Sequence, residues 1–195
     1  MEVGRKSSIV LLAVIGAALV VWLQAGSFAQ TAGHMRNFGR IDQNYRGGRP
    51  KHDDYPYLSS IGIKCVIDLE RRSEDSEKQQ VEKAGMRFYR IPMSDAAKPT
   101  SQQIEEFLKI VNDPKNQPYY LHCHAGRDRT GALAAIYRMS HDGWSADKAY
   151  AEMKQYHYGR GVGHGAMKSC VYDYSRRVAD RSKTVDARVN HKASG

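Results

Sequence analysis

Ten consecutive residues, from His122 to Gly131, carry the side chains that could do chemistry, in the order His-Cys-His-Ala-Gly-Arg-Asp-Arg-Thr-Gly. Five residues separate Cys123 from Arg129. A thiol becomes a strong nucleophile as the thiolate, a form that positive charge and a helix N-terminus both favour. Free backbone N–H groups and a planar guanidinium bind the oxygens of a phosphate. The spacing therefore predicts nucleophilic attack by Cys123 on a phosphate ester.

The loop after Cys123 would hold the phosphoryl group. Arg129 would grip two of its oxygens with the guanidinium fork, and successive backbone N–H groups would surround all three. Gly126 would allow the tight backbone path and the close approach of the ligand. We therefore predict a phosphate-binding set of six residues: His124, Ala125, Gly126, Arg127, Asp128 and Arg129.

Two residues beside this loop would have supporting roles. The hydroxyl of Thr130 could donate a hydrogen bond to the sulfur of Cys123 and stabilise the departing thiolate. His122, directly before the cysteine, would order the loop through hydrogen bonds rather than act as the base.

A carboxylic acid outside the loop must supply the proton for the leaving oxygen. Asp95 lies between Pro92 and Pro99 in a predicted loop after a strand, and catalytic groups are common on such loops. Asp68, near another strand end, is the alternative, and it could equally serve as a turn or cap carboxylate. Asp128 lies too close to the phosphate oxygens to donate easily, so we expect it to pair with a neighbouring basic side chain. Asp95 is the predicted general acid.

Strands and helices alternate along the chain and would position these residues. Apolar, β-rich runs predict strands at 63–69, 86–91 and 118–122, with Pro92 ending the second. Helical spacing predicts helices at 54–62, 73–84, 100–111, 130–143, 146–156 and 166–180. Thr100 with Gln103 reads as a capping box, and Ser145 reads as a further cap. The alternation predicts an α/β fold, with a mostly parallel central sheet of four to five strands flanked by helices.

The ends of the chain differ in composition from its middle. Arg5 and Lys6 precede an apolar stretch over residues 9–23, and small residues stand at Ser27 and Ala29. This order is typical of a secretory signal peptide cleaved after Ala29, although residues 9–23 could remain as a membrane anchor. We therefore expect export to the periplasm or the medium, or anchoring to a membrane. After residues 1–29 we predict a flexible lead-in over 30–40, a domain over 41–182 and a charged tail over 183–195.

The balance of charge favours an anionic partner. Lysine and arginine number 30 against 21 acidic residues, which gives a net charge of +9. Phosphoesters and anionic membrane surfaces both fit such a balance. Nucleic acid is not expected, because the sequence has neither a basic amphipathic helix nor a basic patch interleaved with aromatic residues.

Three cysteines are an odd number for an exported chain. A nucleophilic Cys123 would stay free, and Cys65 and Cys170 could then form a disulfide. Nothing in the sequence places those two residues together, so their pairing stays open.

A metal site at the same loop is an alternative, since His122 and His124 would share one face of a strand. The sequence has no second CxxC or HxxxH pair to complete it, and the arginines of the loop would repel a cation. We expect neither a metal nor a cofactor.

The loop resembles the signature of the cysteine-dependent protein tyrosine and dual-specificity phosphatases, His-Cys-x-x-Gly-x-x-Arg-Thr-Gly. Its specified positions are matched by His122, Cys123, Gly126, Arg129, Thr130 and Gly131. Weaker similarity to small bacterial members extends over residues 44–153, through Tyr45-Arg-Gly-Gly-Arg-Pro, Val66-Ile-Asp-Leu and the Asp95 loop. The tyrosine-specific branch has a Trp-Pro-Asp acid loop. Met93-Ser-Asp stands here instead, which resembles the dual-specificity branch.

This resemblance implies a phosphatase-like fold, a phosphocysteine intermediate, no metal, and Asp95 as general acid. The substrate stays open between a phosphorylated protein and a phosphoinositide or inositol phosphate, because Arg127-Asp128 is similar to the Lys-Asp or Lys-Gly of lipid-active relatives. A rhodanese-like sulfurtransferase and a domain that binds phosphorylated ligands without turnover are further alternatives.

Overall fold

The computed structural model describes residues 35–72, 75–160 and 165–193. Its five strands are β1 (Gly39–Ile41), β2 (Asn44–Gly48), β3 (Cys65–Glu70), β4 (Arg87–Met93) and β5 (Tyr119–Cys123). The α-helices are α1 (Asp54–Ser60), α2 (Asp75–Lys83), α3 (Ser101–Asn112), α4 (Asp128–His141), α5 (Ala146–Gln155) and α6 (Gly165–Ala193). A short 3₁₀ helix spans Pro114–Asn116.

The strands form one sheet in the order β1-β2-β5-β3-β4. β1 is antiparallel to β2, and the other four strands run parallel to their neighbours. β5 is therefore the central strand, with Gly48 opposite Cys123 on one side and Asp68 opposite His122 on the other. The predicted α/β class with a mostly parallel sheet is confirmed, and the sheet brings the carboxyl ends of four strands to one edge.

Helices cover both faces of the sheet, which explains why the central strands β3 and β5 consist mostly of apolar residues. Ile67 and Leu69 of β3 face a core built with α3, α4, α5 and α6. Val66, directly before Ile67, faces the opposite core, built with α1 and α2. A strand buried on both sides has no polar face, so its sequence is nearly continuous in apolar residues.

The predicted helix caps are confirmed. The side chain of Thr100 accepts from the backbone of Gln103, whose own side chain accepts from the backbone of Thr100. Ser145 caps α5 by accepting from the backbone of Lys148. Pro92 does not end β4, because the strand continues to Met93. β4 lies at the sheet edge, where the missing N–H of proline breaks no ladder bond that a neighbour needs.

The prediction of a flexible lead-in over residues 30–40 is wrong for residues 35–40, because the structure builds them into the domain. Gly39 begins β1, and the backbone N–H of Gly48 donates to the carbonyl of Arg36 at 2.7 Å. Met35 is buried, and Phe38 stacks on Tyr45. These aromatic and backbone contacts outweigh the polar, glycine-containing composition on which the prediction rested. The predicted leader over 1–29 lies outside the described residues.

The C-terminal helix also differs from its predicted bounds. α6 continues to Ala193 instead of ending near residue 180 in a frayed tail. Within the added stretch, the hydroxyl of Thr184 donates to the carbonyl of Asp180. This stretch contains no glycine or proline before Gly195 to stop a helix. Over the described ranges, no helix has the length and apolar character needed to cross a bilayer.

All three cysteines are free and buried, so Cys65 and Cys170 form no disulfide. Cys65 lies in β3 and Cys170 in α6.

Candidate active site

The central strand delivers Cys123 to the carboxyl edge of the sheet. Residues 124–127, here called the phosphate loop, follow it, and α4 begins at Asp128. Cys123 is only 3% exposed, so its sulfur lies at the bottom of the loop rather than on the surface. Strand, loop and helix N-terminus therefore lie in the order that the sequence predicted.

Gly126 is the point at which the loop turns. Its φ of +68° lies in the left-handed region, which a side chain disfavours. A Cβ there would lie 2.5 Å from the backbone nitrogen of Gly48 and closer still to the carbonyl of Gly47. Glycines at the end of β2 and at position 126 of the phosphate loop thus allow the two segments to pack backbone against backbone.

The carbonyl groups of the phosphate loop are held on its outer side. Asn37 donates from its side-chain nitrogen to the carbonyl of Ala125 at 2.7 Å. Arg46 donates from Nη2 to the carbonyl of Gly126 at 3.1 Å. Both donors come from the N-terminal part of the domain, which lies behind the loop.

The carbonyl of His124 is also bound from outside the phosphate loop. Its carbonyl accepts from the backbone N–H of Arg49 at 3.3 Å and from Nη2 of Arg36 at 3.2 Å. Its ring is exposed and lies 4.0 Å from the carboxylate of Glu70, which Arg49 binds through two hydrogen bonds of 2.6 Å.

The N–H groups of Ala125, Gly126 and Arg127 donate no hydrogen bond within the described part of the chain. Because the carbonyls are engaged from outside, these N–H groups are available to an anion in the loop. The positive end of α4 adds to their field. The geometry is that of an oxyanion cradle.

Arg129 lies in the first turn of α4 and reaches back to the sheet edge. Its Nη1 lies 3.4 Å from the carbonyl oxygens of Leu69, the last residue but one of β3, and of Met93, the last residue of β4. The guanidinium is thus held at the mouth of an open cleft. The cleft is lined by Glu70, Arg71, Arg72, Met93, Asp95, His124 and Arg129.

The two candidate acids lie in different environments. Asp95 is exposed in the loop after β4 and lines the cleft together with Arg129. Asp68 is fully buried, where its carboxylate accepts from the backbone N–H of Glu70 at 2.8 Å and lies 3.2 Å from Nε of Arg90. Of the two, the structure brings Asp95 into the cleft and places Asp68 in the interior.

His122 is fully buried behind Cys123. Its Nε2 lies 3.0 Å from Glu77, its Nδ1 lies 3.9 Å from Asp68, and its ring stacks on Tyr120. Burial by itself lowers the pKa of His122, but the neighbouring carboxylates outweigh it and raise that pKa above its ordinary value. Its position agrees with a role in ordering the strand that carries Cys123.

The hydroxyl of Thr130 does not make the predicted bond to the sulfur of Cys123. Thr130 is fully buried in the first turn of α4, and its oxygen has no hydrogen-bond partner within the described residues. The residues that follow Thr130 in α4 are buried as well, so this turn faces the core.

Arg127 and Asp128 connect the phosphate loop to the segment after α5. Nη1 of Arg127 donates to the carbonyl of Arg160, and the carboxylate of Asp128 accepts from the backbone N–H of Gly159, each at 3.3 Å. His157, in the same segment, lies 2.6 Å from the side-chain oxygen of Asn37. Arg127 and Asp128, which the sequence predicted to bind phosphate, therefore also hold the loop in place.

A metal site finds little support. His122 faces the interior while His124 is exposed, so they do not converge with Cys123. The ligand atoms of Asp68, Glu77 and His122 do lie within 4.8 Å of one another. Arg90 already stands 3.2 Å from Asp68, however, so this cluster is a compensated network of ion pairs.

Comparison with known proteins agrees with this geometry. The profile of a family described as DSP-PTPase phosphatase fused to NAD+ kinase matches residues 29–169. The chain belongs to this family. It is therefore a cysteine-dependent phosphatase of the protein tyrosine and dual-specificity type, and the resemblance seen in its sequence is confirmed.

Relatives of this phosphatase include proteins named as tyrosine phosphatases and proteins named as inositol diphosphatases. "Probable tyrosine-protein phosphatase DG1060" of Dictyostelium discoideum is 29% identical over 129 residues, which are 62% of this chain and 75% of that protein. Inositol diphosphatase DSP1 of Oryza sativa subsp. japonica is also 29% identical, over 108 residues that are 52% of this chain and 49% of the rice protein. The chain thus spans about half the length of the rice relative.

Solved structures share the fold of this phosphatase. The core catalytic domain of the PP-IP phosphatase SIW14 of S. cerevisiae, in complex with citrate, has a TM-score of 0.64 at 21% identity and covers 76% of this chain and 94% of its own. TpbA of P. aeruginosa has a TM-score of 0.62 at 22% identity and covers 74% and 91%.

Sequence reasoning missed Arg46, Asn37, Arg71 and Arg72. Arg46 and Asn37 bind the loop carbonyls from strands and turns 80 or more residues earlier in the chain. A charged residue inside an otherwise buried strand was the one signal that could have singled out Arg46. Arg71 and Arg72 follow directly on β3, at the sheet edge where the loop lies.

Proposed function

We propose that this phosphatase hydrolyses phosphate monoesters through a phosphocysteine intermediate. The supporting observation is that all three carbonyls of residues 124–126 are bound from outside, which leaves the loop's N–H groups for a phosphate above Cys123. A preorganised set of donors stabilises the charge that develops on the equatorial oxygens in the transition state.

The reaction then has two steps. The thiolate of Cys123 attacks phosphorus, the phosphorus–oxygen ester bond breaks, and Asp95 gives its proton to the departing oxygen. Asp95, now a carboxylate, takes a proton from water as that water attacks phosphorus. The sulfur–phosphorus bond breaks, inorganic phosphate forms and the thiolate returns. Arg129 and the loop N–H groups hold the transferring group throughout.

Hydrolysis of aryl phosphates by three variants tests this proposal. Cys123→Ser is expected to lose about a thousandfold or more in kcat. Asp95→Asn is expected to lose about a hundredfold, and more with phenyl phosphate than with p-nitrophenyl phosphate, because the poorer leaving group needs the proton more. Asp53→Asn is the matched control, since its carboxylate is fully exposed and pairs with His52 outside the cleft.

Two outcomes would contradict the proposal. Activity retained by Cys123→Ser would exclude Cys123 as the nucleophile. A wild type that is inert on aryl phosphates but consumes thiosulfate would support a sulfurtransferase instead, and one that binds phosphate without any turnover would support a binding domain.

A polyphosphorylated inositol is the second candidate substrate, beside a phosphorylated protein. Arg71 and Arg72 are exposed in the same cleft as Arg129 and could bind a second phosphate group. The curated relatives include several inositol diphosphatases.

Phosphotyrosine peptide, phosphoserine peptide, phosphoinositide and inositol polyphosphate should be compared directly. If an inositol polyphosphate is the substrate, Arg71→Gln and Arg72→Gln are expected to raise its KM about tenfold and to leave the KM for p-nitrophenyl phosphate unchanged. Arg40→Gln, on the far edge strand, is the matched control. Preference for a peptide, with no effect of either substitution, would favour a protein phosphatase.

We also propose that residues 1–29 direct export or anchor the enzyme to a membrane through residues 9–23, where its positive charge could hold it near anionic lipid. The mass of the exported protein tests the leader: a chain beginning at Gln30 supports cleavage, and an intact chain in the membrane fraction supports an anchor.

A further inference from the structure

Arg46 is a charged residue in the interior of the protein. It lies in β2, opposite Leu121 of the neighbouring strand β5, and its side chain is fully buried. Nη2 donates to the carbonyl of Gly126 at 3.1 Å, and the guanidinium carbon lies 3.9 Å from the centre of the Tyr156 ring. The side chain therefore runs beneath the phosphate loop.

The charge of Arg46 is poorly compensated by the protein. Among the described residues no carboxylate lies within ion-pair distance, and Nε and Nη1 have no hydrogen-bond partner. Glu152 contributes at longer range, but Arg138 binds that carboxylate at 2.9 Å. Burial lowers the pKa of Arg46 to about 10, which still leaves it charged at neutral pH.

The positive N-terminal end of α4 lies beside the guanidinium of Arg46. Nη2 of Arg46 stands 3.6 Å from the position that a Cβ on Gly131 would take, so the guanidinium lies against the first turn of α4. The N-terminal end of a helix is itself positive. Two positive groups in a buried place repel each other, and the cost of burying such a charge is high unless an anion offsets it.

The groups that face this guanidinium show where that anion belongs. Its electrostatic neighbours are the phenol of Tyr156, the carboxylate of Glu152, the thiol of Cys123 and the cation of Arg138. Of these, only Cys123 lies at the floor of the phosphate loop, where a thiolate or a bound phosphate would carry negative charge.

We propose that Arg46 is a positioning residue that acts on the phosphate site from behind, through its charge and through the carbonyl of Gly126. Arg129 would contact the phosphate from the cleft, and Arg46 would stabilise both the phosphate and the thiolate of Cys123 without touching either. This inference rests on the proposed function, because it requires an anion in the loop.

Binding of inorganic phosphate, followed as the rise in melting temperature of the full chain, tests the proposal without turnover. Arg46→Met is expected to weaken phosphate binding about tenfold, while its melting temperature without phosphate stays equal to or above that of the wild type. Arg46→Lys, which keeps the charge, is expected to retain most of the phosphate response. Arg40→Met is the matched control, because it removes one positive charge from the adjacent strand β1.

The pH dependence of Cys123 alkylation by iodoacetamide gives a second readout, which a purely structural residue would not move. In Arg46→Met the midpoint of thiolate formation is expected to shift to higher pH, and Arg46→Lys is expected to restore it. If Arg46→Met does not fold, Arg46→Lys and Tyr156→Leu are each compared with the wild type instead. Tyr156→Leu removes the ring that supports the guanidinium, so this comparison decides whether Arg46 acts on the phosphate site.

Three results would overturn the proposal: an unchanged phosphate response in Arg46→Met, an equal loss in Arg40→Met, or a loss in Arg46→Lys as complete as in Arg46→Met. The last would show that the positive charge at this position does not act on the phosphate site. Failure of the proposed function is seen separately, as a wild type that binds phosphate but does not hydrolyse aryl phosphates.

Discussion

The three cysteines of this enzyme are all buried, but the groups that surround Cys123 differ from those around Cys65 and Cys170. Cys65 and Cys170 lie in apolar surroundings, where burial raises the pKa of Cys65 to about 12 and that of Cys170 to about 11. Cys65 also donates to the carbonyl of Asn116. Cys123 is equally buried but lies below free N–H groups, at the N-terminal end of α4 and in front of Arg46.

Alkylation should therefore select one thiol. At neutral pH we expect iodoacetamide to modify Cys123 at least about a hundredfold faster than Cys65 or Cys170, because the thiolate is the reactive form. Peptide mass spectrometry of the native protein measures the sites. Inorganic phosphate should protect Cys123, and labelling of Cys65 or Cys170 at a similar rate would refute this account of the three environments.

At the scale of elements, the phosphate loop is held between two segments that are far apart in sequence. Residues 35–38 and β2 bind its carbonyls, while the segment after α5 binds Arg127 and Asp128. Asn37 and His157 connect the two segments to each other. The loop geometry therefore depends on the packing of β2 against β5 and not on the signature residues alone.

Replacing Gly126 tests that packing. Gly143→Ala is the matched control, because Gly143 has a φ of +64°, close to the +68° of Gly126, but nothing within 4 Å of its would-be Cβ. We expect Gly143→Ala to cost about 1–2 kcal/mol of stability from backbone strain and to keep full activity. Gly126→Ala should cost more and lower kcat about a hundredfold, because a displaced loop misaligns the cradle. Chemical denaturation and aryl phosphate kinetics measure both effects, and equal behaviour of the two variants would count against the close packing.

At the scale of the whole molecule, a chain of buried charged groups connects α2 to the sheet. Glu77 of α2 accepts from the hydroxyl of Tyr55 and lies beside His122 of β5, and Asp68 of β3 lies between His122 and Arg90 of β4. The carboxylates raise the pKa of His122 in the folded protein above its ordinary value of 6.5. A protonated His122 therefore stabilises the fold.

This network predicts how stability depends on pH. Because the pKa of His122 is raised on folding, its contribution is fully present below its ordinary value of 6.5 and is lost as the pH rises through the raised value. Glu77→Gln removes the principal raising partner, so the fall in the free energy of unfolding over that range should become shallower. Urea denaturation at a series of pH values measures it. An equally steep fall in Glu77→Gln would show that His122 is not the group responsible.

The sequence was enough to predict what depends on local pattern. The parallel sheet, the capped helices and the residues from His122 to Gly131 follow from hydrophobic periodicity, caps and a dense motif. It was not enough for contacts that only the assembled sheet creates. Met35 and Phe38 fall in the predicted flexible lead-in until β1 pairs with β2, and no local pattern shows that Arg46 reaches the phosphate loop once β2 lies beside β5. Asp95 and Asp68 look alike near their strand ends, and only burial separates them.

In the proposed reaction the phosphoryl group is transferred to the sulfur of Cys123 before it reaches water. Rapid acid quenching of the wild type during turnover of p-nitrophenyl phosphate, followed by peptide mass spectrometry, tests it most directly. We expect one phosphoryl group on the peptide that contains Cys123, lost when the substrate is exhausted and absent from Cys123→Ser. Steady turnover with no phosphoryl group on Cys123, or with one on another residue, would contradict the account.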